Sequence, residues 1–401
     1  MTGHHAVLVN NLTEAQDIIK IIGSDDKAIA YMGPKAVYRI IKLKNIRSFV
    51  ANIIKQEMLA KGGEAAVNKQ SLFAEGYTDV LLMGTLKQYR LLIKKLSLQP
   101  FNLKLLAEEI ESILNNLEQD FYPILLAQGR SLEVGSRTLI MGILNVTPDS
   151  FSDGGDYYNP TVAINRARQM IEEGADIIDI GGASSRPNSN MVAEDIELSR
   201  VLPIVEALAD EDIIISIDTF RGCVAKACLE KGAHIINDIG SLQLDTELLP
   251  LLVEKKAPVI LMHNRMQLRT NEPYDDLISN IVEELYSSVD EAIKAGMDKK
   301  QIMLDPGIGF GKTVVENRII IKRLWELKSL GYPIVLGASR KSFIGKTLNS
   351  EVDDRLEGSL AIASLGIMNG ANIIRVHDVK ESKKIAVMTD AGMRENGYYY
   401  S

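Results

Sequence analysis

Met141-Gly142-Ile143-Leu144-Asn145-Val146-Thr147-Pro148-Asp149-Ser150-Phe151-Ser152-Asp153-Gly154-Gly155 decides how the rest of the chain is read. An apolar run from Leu139 to Leu144 stops at Asn145 and passes into a polar, glycine-rich loop carrying one phenylalanine, Phe151. Folding alone gives no reason for an asparagine at the end of a buried run. A strand that empties into such a loop suits a substrate site able to close over its ligand.

Outward from that stretch the same grammar repeats. Apolar runs at 139–146, 176–181, 213–218, 234–237, 258–262, 301–304, 333–337 and 372–376 read as strands. Most lack period-two alternation, as strands buried on both faces should. Helical patterns lie between most of them: Val162–Glu173, Ala193–Leu208, Gly222–Lys231, Leu277–Ala295, Glu316–Leu330 and Leu356–Asn369, with a last helix near Lys380–Ala391. Gly174, Gly232, Gly296, Gly331 and Gly370 each stand just past a helix, in the C-cap place. The pattern predicts an α/β protein whose residues 126–401 form a (β/α)8 TIM barrel. A doubly wound open sheet is the alternative, but no GxGxxG follows the first strand.

Residues 1–125 differ and read as a smaller α/β N-terminal domain, with helical segments near 13–22, 36–43, 47–60, 86–96 and 102–117. Met32-Gly33 and Tyr38-Arg39-Ile40-Ile41 are echoed 51 residues later by Met83-Gly84 and Tyr89-Arg90-Leu91-Leu92, suggesting two strand–helix–helix units. No catalytic constellation stands out in this region.

Composition sets the outer limits. Hydrophobic residues are 46% and charged residues 24% of the 401, ordinary for a soluble globular protein. A net charge of -8 argues against nucleic acid as a partner. No apolar run reaches the roughly 18 residues that would span a bilayer, and no secretory signal is visible, so a cytoplasmic protein with no membrane partner is expected. Cys223 and Cys228 are five apart in a helical pattern, off each other's face, and read as reduced structural thiols.

In a parallel barrel the active site lies at the C-terminal ends of the strands. Those ends deliver, in order, Asn145; Asp179 and Gly181-Gly182-Ala183-Ser184-Ser185-Arg186-Pro187; Asp218-Thr219; Asn237-Asp238; Met262-His263; Asp305 through Lys312; Ser339-Arg340-Lys341-Ser342; and Arg375-Val376-His377-Asp378. An Asp after a strand is often only the N-cap of the next helix, which would account for Asp218 or Asp378 singly. It does not account for polar groups ending all eight runs. Asp179, Asp218, Asn237 and Asp305 offer acceptors suited to a flat heterocycle with ring N–H and amino donors. Arg186, Lys341, Arg375 and His377 suit an anion such as a diphosphate. The carboxylates lack the spacing of a metal cage, so Mg²⁺ is expected to arrive with phosphates, with Asn145 as its protein ligand.

These eight segments resemble the strand-end motifs of the dihydropteroate synthases, in order and spacing, over about residues 135–395. The resemblance implies condensation of 6-hydroxymethyl-7,8-dihydropterin diphosphate with p-aminobenzoate, giving 7,8-dihydropteroate and diphosphate. It assigns the pterin to Asp218, Asn237, Asp305, Lys341, Met262 and Phe310, with Asp179 in support. The diphosphate and Mg²⁺ fall to Asn145, Arg375 and His377. The aminobenzoate pocket falls to Phe151, Ser185, Arg186, Pro187, Phe310, Lys341 and Ser342. Asp218, Asp305, Lys341 and Asp179 are the expected catalytic groups, and a homodimer is the expected assembly. Two positions depart from the family pattern: Ala183 stands where an acidic residue is common, and Asn188 where glycine is. Ser185 replaces the usual threonine but keeps the hydroxyl.

Other readings compete. A methyltetrahydrofolate:corrinoid methyltransferase shares a pterin-binding barrel but would not need the first loop or the Arg375/His377 pair, and relatives making other pterins use a different arylamine. A Schiff-base aldolase built on Lys341, and a barrel that only binds a partner, are the other two. His234 reads as structural, Trp325 as core packing, and Lys312 equally well as a surface lysine after a glycine turn.

Overall fold

The computed structural model describes residues 3–73, 75–146, 159–183, 192–266 and 273–394. Two compact units divide the chain, one running to Gln119 and the other Asp120–Arg394.

The first unit holds α1 (Leu12–Ile21), α2 (Asp26–Ala36), β1 (Tyr38–Arg47), α3 (Ser48–Ala60), β2 (Glu64–Val67), β3 (Tyr77–Thr85), α4 (Leu86–Leu96) and α5 (Leu103–Leu117). Its strands form an antiparallel sheet in the order β1-β3-β2. The expected helix at 36–43 is instead the start of β1, because burial alternates from Tyr38 to Leu43 with Arg39, Ile41 and Leu43 inward. In α4 the buried residues are Leu86, Tyr89, Leu92 and Leu96, a helical spacing. The two echoed segments therefore adopt different secondary structures, and hydrophobic period outweighs the local likeness.

The second unit opens with a hairpin, β4 (Tyr122–Leu125) and β5 (Ser131–Val134). The barrel strands follow: β6 (Leu139–Asn145), β7 (Ile177–Gly181), β8 (Ile214–Asp218), β9 (Ile235–Asp238), β10 (Val259–Met262), β11 (Ile302–Asp305), β12 (Val335–Leu336) and β13 (Ile373–Val376). They pair in parallel in the order β11-β10-β9-β8-β7-β6-β13-β12, and a parallel bridge between Leu304 and Ile334 closes the ring. Around it lie α6 (Pro160–Glu172), α7 (Glu194–Leu208), α8 (Gly222–Glu230), α9 (Leu248–Lys255), α10 (Leu277–Lys294), α11 (Val314–Lys322), α12 (Ser342–Leu348), α13 (Leu356–Met368) and α14 (Val379–Arg394). The segment expected as one helix over 316–330 is α11 followed by a 3-10 stretch, Leu324–Leu330, and Trp325 on it is 39% exposed rather than core.

Strand residues alternate between the helices and the barrel interior. Ile178, Ile180, Ile215, Ile217, Leu261 and Leu304 pack with the helices. Met141, Ile177, Ile235, Ile260, Met303, Val335 and Ile373 pack instead with Tyr122, Ile124, Leu132 and Val134 of the hairpin. The hairpin plugs the bottom of the barrel, which is why this unit begins at Asp120, ahead of residue 126. Each fully buried apolar side chain there contributes about 1.5–3 kcal/mol. Among the described residues no helix is long and apolar enough to cross a membrane.

Candidate active site

One step of the pleat above the plug, the interior becomes polar. Asp179 stands in register with Ser216, Asp218 with Asn237, and Met262 with Asp305. Parallel pairing thus gathers five polar side chains from four strands above the plug, with Ser216 and Asp218 two residues apart on β8, and β13 adds Arg375 two residues beyond Ile373. Asp179 is fully buried and accepts from Ser216 Oγ (2.6 Å), Asn237 Nδ2 (3.0 Å) and Arg375 Nε (2.6 Å). Arg375 Nη2 donates to Asp218 Oδ2 (2.7 Å), so a single guanidinium bridges two carboxylates. Its fixed fork suits it to that task.

Asp305 Oδ1 accepts from the Gly307 N–H (2.6 Å). Lys341, half-buried, donates to the Ile308 carbonyl and lies 4.6 Å from the centroid of the Phe310 ring. Three carboxylates thus face two cations. Burial raises Asp218 to about 7, with Asp179 and Glu197 pushing the same way and Arg375 opposing. Burial raises Asp305 too, against Lys341 and the Gly307 N–H. Burial also lowers Lys341 to about 8, helped by Arg375 and resisted by Asp305 and Asp218. Burial opposes charge on Arg375 as well, yet Asp179 and Asp218 hold it above its ordinary value, a permanent cation. Acids shifted up beside a base shifted down mark a site short of partners, one that a ligand rich in N–H donors would complete.

Residues 141–377 match the pterin binding enzyme family. Over 271 residues the chain is 44% identical to the dihydropteroate synthase of Bacillus subtilis strain 168, a match covering 67% of this chain and 94% of that protein. The chain belongs to the dihydropteroate synthase family. The solved structure of the Xanthomonas albilineans dihydropteroate synthase with 4-aminobenzoic acid aligns at 36% identity with a TM-score of 0.65, covering 68% of this chain and 99% of that one. A probable bifunctional folylpolyglutamate synthase/dihydropteroate synthase of Halobacterium salinarum is 36% identical over 382 residues, covering 93% of this chain and 45% of that protein. That share exceeds the barrel unit, so residues ahead of Asp120 have counterparts there.

Other residues singled out for a dihydropteroate synthase fall as follows. Asn145 ends β6, half-buried, opposite Gly181. Met262 is buried on the inner face. His377 Nδ1 lies 3.1 Å from Ser339 Oγ, and burial lowers its pKa to about 4, so the imidazole is neutral near pH 7 rather than cationic. Ser342, exposed, opens α12. Phe151, Ser185, Arg186, Pro187 and Asn188 lie outside the described residues. Asp218 is no helix cap, since α8 begins at Gly222 after Arg221. Asp378 is held by Arg340 through two bonds (3.0 and 2.6 Å). His234 accepts the Ile215 N–H through Nδ1 (3.1 Å), a structural use. Cys223 and Cys228 are free, the first exposed and the second buried.

Lys312 is the residue that sequence alone left undecided. It is half-buried with its ammonium turned inward, donating to the carbonyls of His263 (3.2 Å), Gly307 (2.8 Å) and Phe310 (3.1 Å). Burial draws its pKa down to about 7, while three carbonyl oxygens favour the protonated form, which alone can satisfy them all. Gly307 is required there: its φ is +67°, and a Cβ would stand 1.8 Å from the His263 carbonyl oxygen.

Proposed function

We propose that this barrel condenses 6-hydroxymethyl-7,8-dihydropterin diphosphate with p-aminobenzoate, releasing diphosphate and 7,8-dihydropteroate by an SN1-like route. The observation that carries the reading is the buried layer of Asp179, Asp218, Asn237 and Asp305 around Arg375, with Lys341 alongside. Asp218, Asn237 and Asp305 would accept from the pterin's amino and ring N–H groups, and Lys341 would donate to a ring acceptor, with Met262 and Phe310 lining the ring. The C–O bond to the diphosphate breaks with its electron pair on oxygen, leaving a cationic methylene that the pterin ring delocalises. Nearby carboxylates stabilise that developing charge. The amine lone pair of p-aminobenzoate then forms the C–N bond and its surplus proton passes to water. A weakly basic aniline needs placement more than a strong base. Phe151, Ser185, Arg186, Pro187 and Ser342 are assigned to that placement.

Asn145, Arg375 and His377 are assigned to the leaving diphosphate, with the neutral His377 as a hydrogen-bond donor. Among the described residues, no three His, Cys, Asp or Glu side chains are grouped to hold a metal, and the Arg375 guanidinium already bonds Asp179 and Asp218. Mg²⁺ therefore fits as an ion carried by the diphosphate, with the Asn145 amide oxygen as its protein ligand. When bound, it would neutralise charge on the leaving group. A corrinoid methyltransferase is disfavoured by a match that runs along 94% of a dihydropteroate synthase.

The route is tested with pterin diphosphate labelled with ¹⁸O at the bridging oxygen, incubated with enzyme and Mg²⁺ but no arylamine. Scrambling of label into non-bridging positions is the expected result. Label that stays in place under conditions of normal turnover with p-aminobenzoate would reject departure before attack.

We also assign the homodimer to the outer face of α13 and α14. A helix apolar on nearly all sides, as α13 is, is normally buried, yet its Leu365 is 48% and Met368 58% exposed, and on the mostly polar α14 Val387 (59%) and Met388 (73%) are exposed too. A second copy covering this face supplies the burial that the sequence calls for.

A further inference from the structure

We infer that Lys312 is a positioning residue that sets pterin affinity through Lys341, an inference resting on the pterin role of Lys341 proposed above. Lys312 has three ammonium donors, and all three meet backbone carbonyls, at His263, Gly307 and Phe310. None is left for a ligand, so its part in the chemistry is indirect. The three acceptors come from two loops: His263 follows β10, and Gly307 and Phe310 follow β11.

What makes this tie consequential is what lies between its anchors. Residues 308–310 form the seat of Lys341. The Ile308 carbonyl accepts from Lys341 Nζ, and the Phe310 ring lies beneath it at 4.6 Å. A Cβ on Gly309 would stand 3.0 Å from Lys341 Cδ, so the lysine stem passes directly over that glycine. Gly307, Gly309 and Gly311 all have positive φ. Such a loop has high entropy when free and does not hold one shape unaided. Its N–H groups are held from one side, Gly307 by Asp305 Oδ1 (2.6 Å) and Gly309 by Asn317 Oδ1 (2.7 Å). Its carbonyls are held from the other side by Lys312. Removing the ammonium leaves the N–H anchors but frees the carbonyls at both ends of the seat, and Lys341 loses its fixed reach toward the ligand.

A double-mutant cycle in the full-length protein separates this from a purely structural role. Affinity for 6-hydroxymethylpterin, which cannot react, is measured by titration calorimetry for Lys312→Met, Lys341→Met and the pair, with thermal unfolding followed alongside. We expect each single variant to weaken binding about tenfold and the double variant to bind as Lys341→Met does, within about twofold. Additive losses, or a Lys312→Met protein that unfolds at lower temperature yet binds normally, would overturn the inference. Normal binding by Lys341→Met would instead overturn the role of Lys341 itself. If Lys312→Met does not accumulate folded, Lys312→Gln takes its place in the cycle; it keeps two donors, so a smaller loss of affinity is expected, again absent when Lys341 is Met, and additive losses would again overturn the inference.

Discussion

Ile177 and Asp179, Ile214 and Ser216, Ile235 and Asn237, Met303 and Asp305, Ile373 and Arg375 are five pairs two residues apart, each pair on the inner face of its own barrel strand. The lower member of each packs with the hairpin side chains, and the upper member carries hydrogen bonds or charge. The lower layer buries apolar surface and stabilises the fold. The upper layer does the reverse for its carboxylates, since burial pushes Asp218 and Asp305 toward their neutral forms. Stability and chemistry are thus stacked within one closed sheet. A change in one layer should leave the other layer's property nearly intact.

The largest effect that would break this comparison is sought in the upper layer. Asp218→Asn keeps the size and removes the charge, and kcat/KM for pterin diphosphate is expected to fall by about 10²–10³. Unfolding free energy should move far less than that ratio implies. For the native enzyme, kcat/KM reports groups on the free protein. Below about pH 7 Asp218 gains a proton and ceases to be a pure acceptor, so the rate falls as pH drops. Above about pH 8 Lys341 loses its charge, so the rate falls again. Steady-state profiles should be bell-shaped, and Asp218→Asn should lose the acid limb. A variant that retained both limbs would detach that limb from Asp218.

Much of this stacking was legible in the chain. Eight apolar runs ending in polar groups gave both the barrel and the level of the site, because a parallel strand buried on both faces needs an unbroken apolar run and then releases the chain at its C-terminal end. Less legible were features that depend on three-dimensional pairing. The charge of Arg375 suggests an anion ligand, but its partners Asp179 and Asp218 are 196 and 157 residues away, and no local pattern shows them bridged. Lys312 stays undecided in the sequence because its acceptors are backbone carbonyls, and every residue has one. Helical spacing puts Trp325 in the core, but the segment is a 3-10 stretch on which Trp325 is 39% exposed. In the N-terminal unit the inward alternation of Arg39, Ile41 and Leu43 marks a strand where a helix is expected over 36–43.

The lower layer supplies the complementary test. Met303 is fully buried against the hairpin cluster. Met303→Ala leaves a cavity that the closed ring cannot collapse around, with an expected loss of about 2–5 kcal/mol in unfolding free energy. Chemical denaturation would measure it. The kcat of the folded fraction should change by less than about twofold, because Asp305 is held by the Gly307 N–H rather than by Met303. A large kcat loss with little change in stability would show that the two layers are not separable.

The smallest effect on chemistry is expected outside the ring. On α13, Leu365 and Met368 face outward while Ala363, Gly366 and Ile367 are buried against the barrel. Leu365→Glu combined with Met368→Glu adds charge only to the exposed stripe, and substitutions at such positions usually shift monomer stability by no more than about 0.5 kcal/mol. Two like charges meeting their symmetry mates across a two-fold interface are strongly unfavourable, since each patch contacts its own copy. Light scattering should find the native protein at twice the chain mass and the variant at the chain mass, with kcat unchanged. An unaltered dimer would move the interface away from α13 and α14. A monomer with lost activity would mean that the upper layer depends on the second copy, and the separation between stabilising and catalytic regions would have to be redrawn around the dimer.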